Sequence, residues 1–203
     1  MVRACAAEQR REGTAYHEAG HAVARYRLRL PIRSATIIPD EQSGNLGSVR
    51  GGFPKAFRPD RNSDLRTLDR IEKEIVARLT GSLAEKKHTG RADHVGTARD
   101  YEWAADLAFY RFGGGEVVDA YLRFLGVLTQ RNVASPLWWR AIEVVAAALL
   151  ERGTLSGRAV RLIVRADDER EVERVSGPGI RAILRASDTT PPRGWPERLV
   201  TTR

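Results

Sequence analysis

The chain has very little cysteine: Cys5 is the single one among 203 residues. One thiol cannot form an internal disulfide framework or a cysteine-rich zinc site, so disulfide scaffolds and zinc fingers are excluded. The sequence also lacks an apolar run long enough to span a bilayer, and its first ten residues lack the apolar core of a signal peptide. From these absences we expect a cytoplasmic protein that does not enter a membrane.

The charge is strongly biased toward one sign, with 34 basic and 26 acidic residues and a net charge of +8. Such an excess can indicate an anionic partner, for example nucleic acid. The arginines are spread over the whole chain, however, and no nucleic-acid-binding motif is present. A general preference for arginine explains the excess better, and nucleic-acid binding is the least favoured of the functions considered.

The length and an apolar content of 42% are enough for one hydrophobic core. We expect an N-terminal lead over residues 1–12, a folded domain over 13–170 and a C-terminal tail over 171–203. The tail is expected because four prolines and many charges replace the periodic apolar pattern there.

An HExxH motif occupies residues 17–21. Residues four apart on a helix share a face, so His17 and His21 can offer two imidazole nitrogens to one metal ion. Glu18 would then stand beside a water on the open position of the metal, where its carboxylate can accept a proton. The motif predicts zinc-dependent hydrolysis, and the alternative is an ordinary amphipathic helix with two solvated histidines.

The residues around the motif favour a helix. Thr14 is the expected N-cap and Pro31 the expected stop. An apolar face separate from the histidines is formed by Tyr16, Ala19, Val23, Tyr26 and Leu30. Residues 25–30 also alternate like a strand, so the helix can end before the proline.

The rest of the chain predicts a mainly α (α+β) fold. Two short β-branched runs, at 32–39 and 45–50, favour a hairpin. Apolar residues then recur at helical spacing in several segments. The first of these predicted helices begins at Asn62 or Ser63 and has a weak point at Gly81. The next three are expected over residues 101–112, 117–128 and 136–153, and Leu155-Ser156-Gly157 is expected to open the last one.

Two histidines leave a catalytic zinc one protein ligand short. The candidates are Glu85, His88, Asp93, His94 and Asp100. Asp100 is expected in the first turn of a helix, which is a rigid position, whereas residues 88–94 are expected in a flexible loop. Asp100 also fits a capping box that begins at Thr97. On the residues alone, a ligand role and a capping role for Asp100 are equally open.

Five segments occur in the chain in the order 16–23 (YHEAGHAV), 36–39 (TIIP), 79–85 (LTGSLAE), 96–100 (GTARD), and 149–151 (LLE) with 154–157 (TLSG). Together they resemble the peptidase domain of the FtsH-type ATP-dependent zinc metalloproteases. The pattern at 96–100 is also similar to the aspartate motif of deuterolysin-type zinc peptidases, but the absence of disulfides and the other four segments make that match weaker.

The resemblance implies a zincin-like helical peptidase domain with a small β-hairpin or sheet next to the HExxH helix. It implies zinc as the cofactor, bound by His17, His21 and Asp100, with Glu18 as the general base. Glu85 matches a glutamate near the site in the family. It is therefore a candidate for a residue that contacts a metal ligand without binding the metal itself.

The sequence also departs from that family. It has no Gly-rich phosphate loop of the Walker type, no membrane helices, and Arg99 where the family usually has asparagine. We therefore expect a stand-alone, ATP-independent zinc metalloendopeptidase that acts on peptides or unfolded polypeptides. A homo-oligomer and a separate ATPase or delivery partner are compatible with the resemblance, and a catalytically silent binding or scaffold domain is the alternative function.

Overall fold

The computed structural model describes residues 2–40, 42, 44–55 and 57–175. Over these residues the chain is mainly helical, with six helices and a small three-stranded sheet. In chain order the elements are α1 (Val2–Arg27), β1 (Ser34–Thr36), β2 (Ser48–Arg50), α2 (Leu65–Thr89), α3 (His94–Phe112), α4 (Glu116–Ala134), α5 (Pro136–Arg152), β3 (Thr154–Ser156) and α6 (Gly157–Val175).

The chain divides into two compact units, residues 1–167 and 168–203. The first unit contains the sheet and the first five helices, and the described part of the second is the end of α6. From residue 176 onward, the predicted tail lies outside the described residues.

Helix α1 begins much earlier than the sequence predicted. It starts at Val2, so most of the expected lead is helical, and the assignment of Thr14 as N-cap is wrong. The Thr14 hydroxyl instead donates to the Arg10 carbonyl, one turn back, at 3.0 Å. A threonine can cap a helix or bond back within one, and its type alone does not distinguish the two positions. The helix ends at Arg27, without the strand that residues 25–30 could have formed.

The second and third helices are also longer than expected. Helix α2 passes through Gly81 without a break and reaches Thr89. Helix α3 begins at His94, so the flexible loop expected over residues 88–94 is only a short connection. The predicted fifth helix is confirmed, because Ser135 caps α5, Pro136 opens it and Gly153 follows its last residue.

Helices α1 and α2 approach closely because a glycine lies at their contact. A Cβ atom on Gly20 would lie 2.8 Å from the Thr80 carbonyl oxygen and 2.9 Å from the Ala84 Cβ. Any larger residue would push the helices apart. The glycine inside the HExxH motif therefore brings the two histidines up against α2.

The strands form an antiparallel sheet in the order β2-β1-β3. The predicted hairpin of the first two strands is confirmed, with Ala35 opposite Val49. The third strand was not predicted, since residues 155–157 were expected to open a helix; Leu155 instead pairs opposite Ala35 in the sheet, and the helix begins at Gly157. Within the described residues β2 pairs only with β1, so it is an edge strand.

Two large groups of buried apolar side chains flank the contact between α1 and α2. The first joins α1 to the sheet, α5 and α6, and the second joins α2 to α3 and α4. The largest fully buried apolar side chains are Ile71, Ile75, Leu125, Ile142, Leu149 and Leu155. Apolar packing on both sides thus fixes the polar residues that lie between the two helices.

No single helix of the described chain has both the length and the apolar composition of a membrane span. Helices α4 and α5 meet those criteria only as a pair, and the chain bends by 75° between them.

Candidate metal centre

Two helices bring His17, His21 and Asp100 together. The histidines lie one turn apart on α1, and Asp100 reaches them from the second turn of α3. Its Oδ2 atom lies 3.0 Å from Nε2 of His17 and 2.9 Å from Nε2 of His21. All three side chains are buried, and one ligand atom from each lies within 4.8 Å of the others. The cluster could therefore hold one metal ion.

The donor set fits zinc. Two imidazole nitrogens and one carboxylate oxygen supply three of the four ligands of a catalytic site. Metal bonds of roughly 2.0–2.1 Å in a tetrahedron place neighbouring ligand atoms about 3.3 Å apart. The observed separations of 3.0 and 2.9 Å differ from that by a few tenths of an ångström. The two separations that involve Asp100 are therefore close to those of a tetrahedral zinc site.

Partners on α2 orient both imidazole rings. Nδ1 of His21 donates to the Ala77 carbonyl oxygen at 2.8 Å, and Nδ1 of His17 donates to Oε2 of Glu85 at 3.0 Å. A carbonyl oxygen can only accept, so Nδ1 of His21 carries the proton and Nε2 is the atom available to a metal. Glu85, which the resemblance placed near the site, accepts from Nδ1 of His17 in the same way and so leaves Nε2 of that ring facing the metal position.

The electrostatics of the cluster favour a cation. Burial lowers the pKa of His17, but its hydrogen bonds with Asp100 and Glu85 outweigh this and raise the pKa to about 10. Burial raises the pKa of Asp100, but the two histidines outweigh it and hold that pKa well below its usual range. Protonated imidazole and ionised carboxylate thus stabilise each other, at the place where a metal ion would supply the positive charge.

Glu18 lies beside the cluster with one oxygen unsatisfied. Its side chain is buried, and Oε2 has no hydrogen-bond partner among the described residues. Burial raises the pKa of Glu18, while the neighbouring His21 and His17 act against that rise. An unpaired buried carboxylate oxygen costs free energy, so a hydrogen-bond donor bound beside Glu18 would stabilise this arrangement.

Gly47 from the loop before β2 lies directly over Glu18. A Cβ atom there would be 2.8 Å from Cγ of Glu18 and 2.8 Å from the Thr36 carbonyl oxygen. The loop can approach the carboxylate only because this residue has no side chain.

Gly81 gives the metal position its space on the other side. A Cβ atom on this residue would lie 2.5 Å from Nε2 of His21 and 2.9 Å from Nε2 of His17. The sequence suggested a weak point in the helix at Gly81. In the structure the helix is unbroken, and the glycine instead lets its backbone pass close to both rings.

The other candidates for the third ligand lie elsewhere or have other partners. Asp93 caps α3, with its Oδ2 accepting from the Gly96 amide at 2.8 Å. The His88 ring stacks on Tyr16 with 3.6 Å between centroids, and His94 is exposed. Because α3 begins at His94, Thr97 is not its N-cap, and the capping-box interpretation of Asp100 is wrong.

Sequence reasoning missed one residue of the cluster, Arg78 on α2. Its Nη1 donates to Oδ1 of Asp100 at 3.2 Å, and its guanidinium lies 4.4 Å from the centre of the Trp103 ring. One arginine in a chain with 34 basic residues gives no sequence signal that could have identified it.

The cluster opens into a cleft of about 590 Å³. Its lining includes the loop and edge strand from Gly44 to Val49, together with Arg78, Arg99 and Trp103. The Arg99 side chain crosses to that loop and donates to Oδ1 of Asn45. His17, His21 and Asp100 all line this cleft, and as three protein ligands they would leave a catalytic zinc one coordination position for water.

No protein-family model matches the chain. Two curated relatives are both ATP-dependent zinc metalloprotease FtsH. The protein from Synechococcus sp. is 28% identical over 221 residues, covering 95% of this chain and 32% of the relative. The protein from Acidimicrobium ferrooxidans is 28% identical over 192 residues, covering 88% of this chain and 26% of the relative. The chain thus spans about a third or less of the length of these relatives, and the likeness indicates a distant relation to FtsH metalloproteases.

Proposed function

We propose that the protein is a zinc metalloendopeptidase with a zincin-like domain, and that it hydrolyses peptide bonds in flexible or unfolded polypeptides. One observation carries the proposal: His17, His21 and Asp100 converge in an open cleft that is also lined by Glu18, one oxygen of which has no hydrogen-bond partner among the described residues. The distant similarity to zinc metalloproteases supports it.

His17, His21 and Asp100 would hold the zinc, which when bound lowers the pKa of a water molecule and polarises a carbonyl group. Glu85 and the Ala77 carbonyl keep Nε2 of each ring turned toward the metal position.

Glu18 moves the protons. Its carboxylate accepts a proton from the attacking water as the water oxygen bonds to the scissile carbonyl carbon. The carboxyl then gives that proton to the leaving amide nitrogen as the C–N bond breaks. The products are a new carboxylate and a new amine. Burial supports this shuttle, because a raised pKa favours the protonated carboxyl between the two transfers.

The edge strand β2 supplies the reason for preferring unfolded substrates. An extended polypeptide can add its backbone to the open edge of a sheet. A folded domain offers few free extended segments that could pair in this way. Val49 of β2 and the preceding loop line the same cleft as the metal cluster. A substrate strand added there would bring a peptide bond close to Glu18.

Folded substrates would need prior unfolding, and a separate ATPase or delivery partner is the proposed source of it. The cytoplasmic location expected from the sequence stays a prediction, and a homo-oligomer stays compatible with the resemblance.

The direct test is cleavage of an unstructured, internally quenched peptide library by the purified, zinc-loaded chain. We expect cleavage that a chelator stops and that Glu18→Gln reduces by about 10²–10⁴-fold. Glu8→Gln, an exposed glutamate on the same helix, is the matched control and should cleave normally.

Wild-type protein that binds zinc yet cleaves no member of the library would contradict the peptidase proposal and favour the binding or scaffold alternative. Equal cleavage by Glu18→Gln would remove Glu18 from the mechanism.

A further inference from the structure

We propose that Arg78 is a positioning residue that fixes Asp100 as a one-oxygen metal ligand. The inference rests on the proposed metal site and adds a residue that neither the sequence motifs nor the comparisons assign.

The two oxygens of Asp100 have separate partners. Oδ2 faces Nε2 of both His17 and His21, at 3.0 and 2.9 Å. Oδ1 points away from the rings and accepts from Nη1 of Arg78 at 3.2 Å. Because the guanidinium occupies Oδ1, the geometry favours Oδ2 as the oxygen that Asp100 offers to a metal. One-oxygen binding keeps the coordination number low and leaves the fourth position open to the cleft.

Trp103 keeps the guanidinium in place. The Arg78 guanidinium carbon lies 4.4 Å from the centre of the indole ring, which is within cation–π distance. Trp103 follows Asp100 by three residues on α3, so the two side chains project from the same face of that helix. The ring and the carboxylate therefore hold one arginine between them.

Arg78 is one of three groups on α2 that hydrogen-bond the proposed metal ligands. This helix provides a partner for each of the three metal-facing residues: the Ala77 carbonyl for His21, Glu85 for His17, and Arg78 for Asp100. Groups that hydrogen-bond metal ligands from outside orient them, and losing one typically weakens metal affinity by about 10–100-fold. Arginine suits this position better than lysine, because its planar group can stack on an indole while donating to a carboxylate.

The test is zinc affinity, measured by competition with a chromophoric chelator, for Arg78→Met and Arg78→Lys. We expect Arg78→Met to bind zinc about 10–100-fold more weakly than the wild type. Arg78→Lys keeps the charge and should recover part of the loss. Arg66→Met, an exposed arginine on the same helix, is the control and should match the wild type.

Peptidase kinetics separate positioning from substrate binding. A positioning role predicts weaker zinc binding and a lower kcat at subsaturating zinc, with KM nearly unchanged. A raised KM with wild-type zinc affinity would instead assign Arg78 to the substrate and overturn the inference.

Trp103→Leu keeps Arg78 but removes the ring on which its guanidinium stacks. This variant tests the inference if Arg78→Met does not fold. We expect a smaller loss of zinc affinity, in the same direction. Wild-type affinity in the folded variants would overturn the role of Arg78 and leave the proposed peptidase function standing. Failure of the wild-type chain to bind zinc would overturn both.

Discussion

Helix α1 contributes residues to two buried polar clusters whose charges are arranged differently. The metal-facing cluster contains His17, His21 and Asp100. One turn further along α1, Arg25 pairs with Glu74 of α2, which also pairs with Arg70 of that helix. Both clusters bury ionisable groups, and of the two only the first lines a large cleft.

The arginine–glutamate cluster pairs its charges internally. Glu74 is fully buried; its Oε2 accepts from Nη1 of Arg25 at 2.8 Å, and its Oε1 accepts from Nη2 of Arg70 at 2.7 Å. The arginines also donate to the carbonyl oxygens of Pro31 at 2.8 Å and Gly52 at 3.0 Å, on either side of the β1–β2 hairpin. A cavity of only about 10 Å³ touches it. Its role is to attach the hairpin to the helices.

The metal-facing cluster differs in what it leaves unpaired. It combines a free Glu18 oxygen, two ring nitrogens aimed at one point and a cleft of about 590 Å³. Burial and charge alone do not distinguish a functional cluster from a structural one. The distinguishing features are the unsatisfied atom and the space next to it.

The largest expected effect comes from filling the space at Gly81. Gly81→Ala would place a carbon 2.5 Å from Nε2 of His21, which displaces the ring, so stoichiometric zinc binding and peptidase activity should be lost. Zinc content after dialysis, measured by atomic emission, checks this.

The matched control is Gly126→Ala, because a Cβ at that helical glycine has nothing within 4 Å. This variant should keep full zinc content and gain about 0.5–1 kcal/mol of stability. Full zinc content in a folded Gly81→Ala variant would contradict the placement of the metal against α2.

Breaking the arginine–glutamate cluster should affect stability rather than chemistry. Glu74→Gln leaves two buried or partly buried arginines without their counter-charge, so the free energy of unfolding should fall by about 3–5 kcal/mol. Urea denaturation measures the loss, and zinc affinity of the folded fraction should stay within twofold of the wild type. A large loss of zinc affinity without a loss of stability would show that the two clusters are not separate in function.

Removing the metal should destabilise the fold moderately. A ligand that binds only the native state, at 100 times its dissociation constant, adds about 2.7 kcal/mol. We therefore expect chelation to lower Tm, and the shift should disappear in Asp100→Ala. A chelator effect of equal size in that variant would place the stabilising metal somewhere else.

The smallest effect concerns pH in the zinc-free protein. The pKa of His17 is raised from 6.5 to about 10 in the folded state. A raised folded-state pKa contributes stability that is fully present below 6.5 and is lost as pH rises through about 10. Thermal denaturation in chelator should therefore show falling stability from pH 7 to 10. His17→Asn should flatten that part of the profile, and an unchanged slope would assign it to other groups.

Local features of the site could be predicted from the sequence, but its long-range contacts could not. The spacing of His17 and His21 fixes their common helix face, so this pair needed no structure. Asp100 is different, because a carboxylate early in a helix can cap the helix or reach a distant group. Only the packing of α3 against α2 decides between these roles, and the resemblance to a family supplied that information indirectly.

The same reasoning explains why parts of the fold were predicted wrongly from the sequence. Strand β3 has three residues, which is too few for a periodic pattern to be recognised, and its partner lies more than a hundred residues away in the chain. A threonine such as Thr14 can cap a helix, or it can lie inside one and donate its hydroxyl to a carbonyl one turn back, as Thr14 does to Arg10. In each case a single residue type is compatible with two environments, and tertiary contacts select one of them.

The most direct test of the account is the structure of the zinc-loaded protein, together with its zinc content per chain. We predict one zinc per chain, bonded at about 2.0–2.2 Å to Nε2 of His17, Nε2 of His21 and Oδ2 of Asp100, with the fourth position facing the cleft beside Glu18. Zinc bound to other side chains, or a reconstituted chain that retains none, would contradict it.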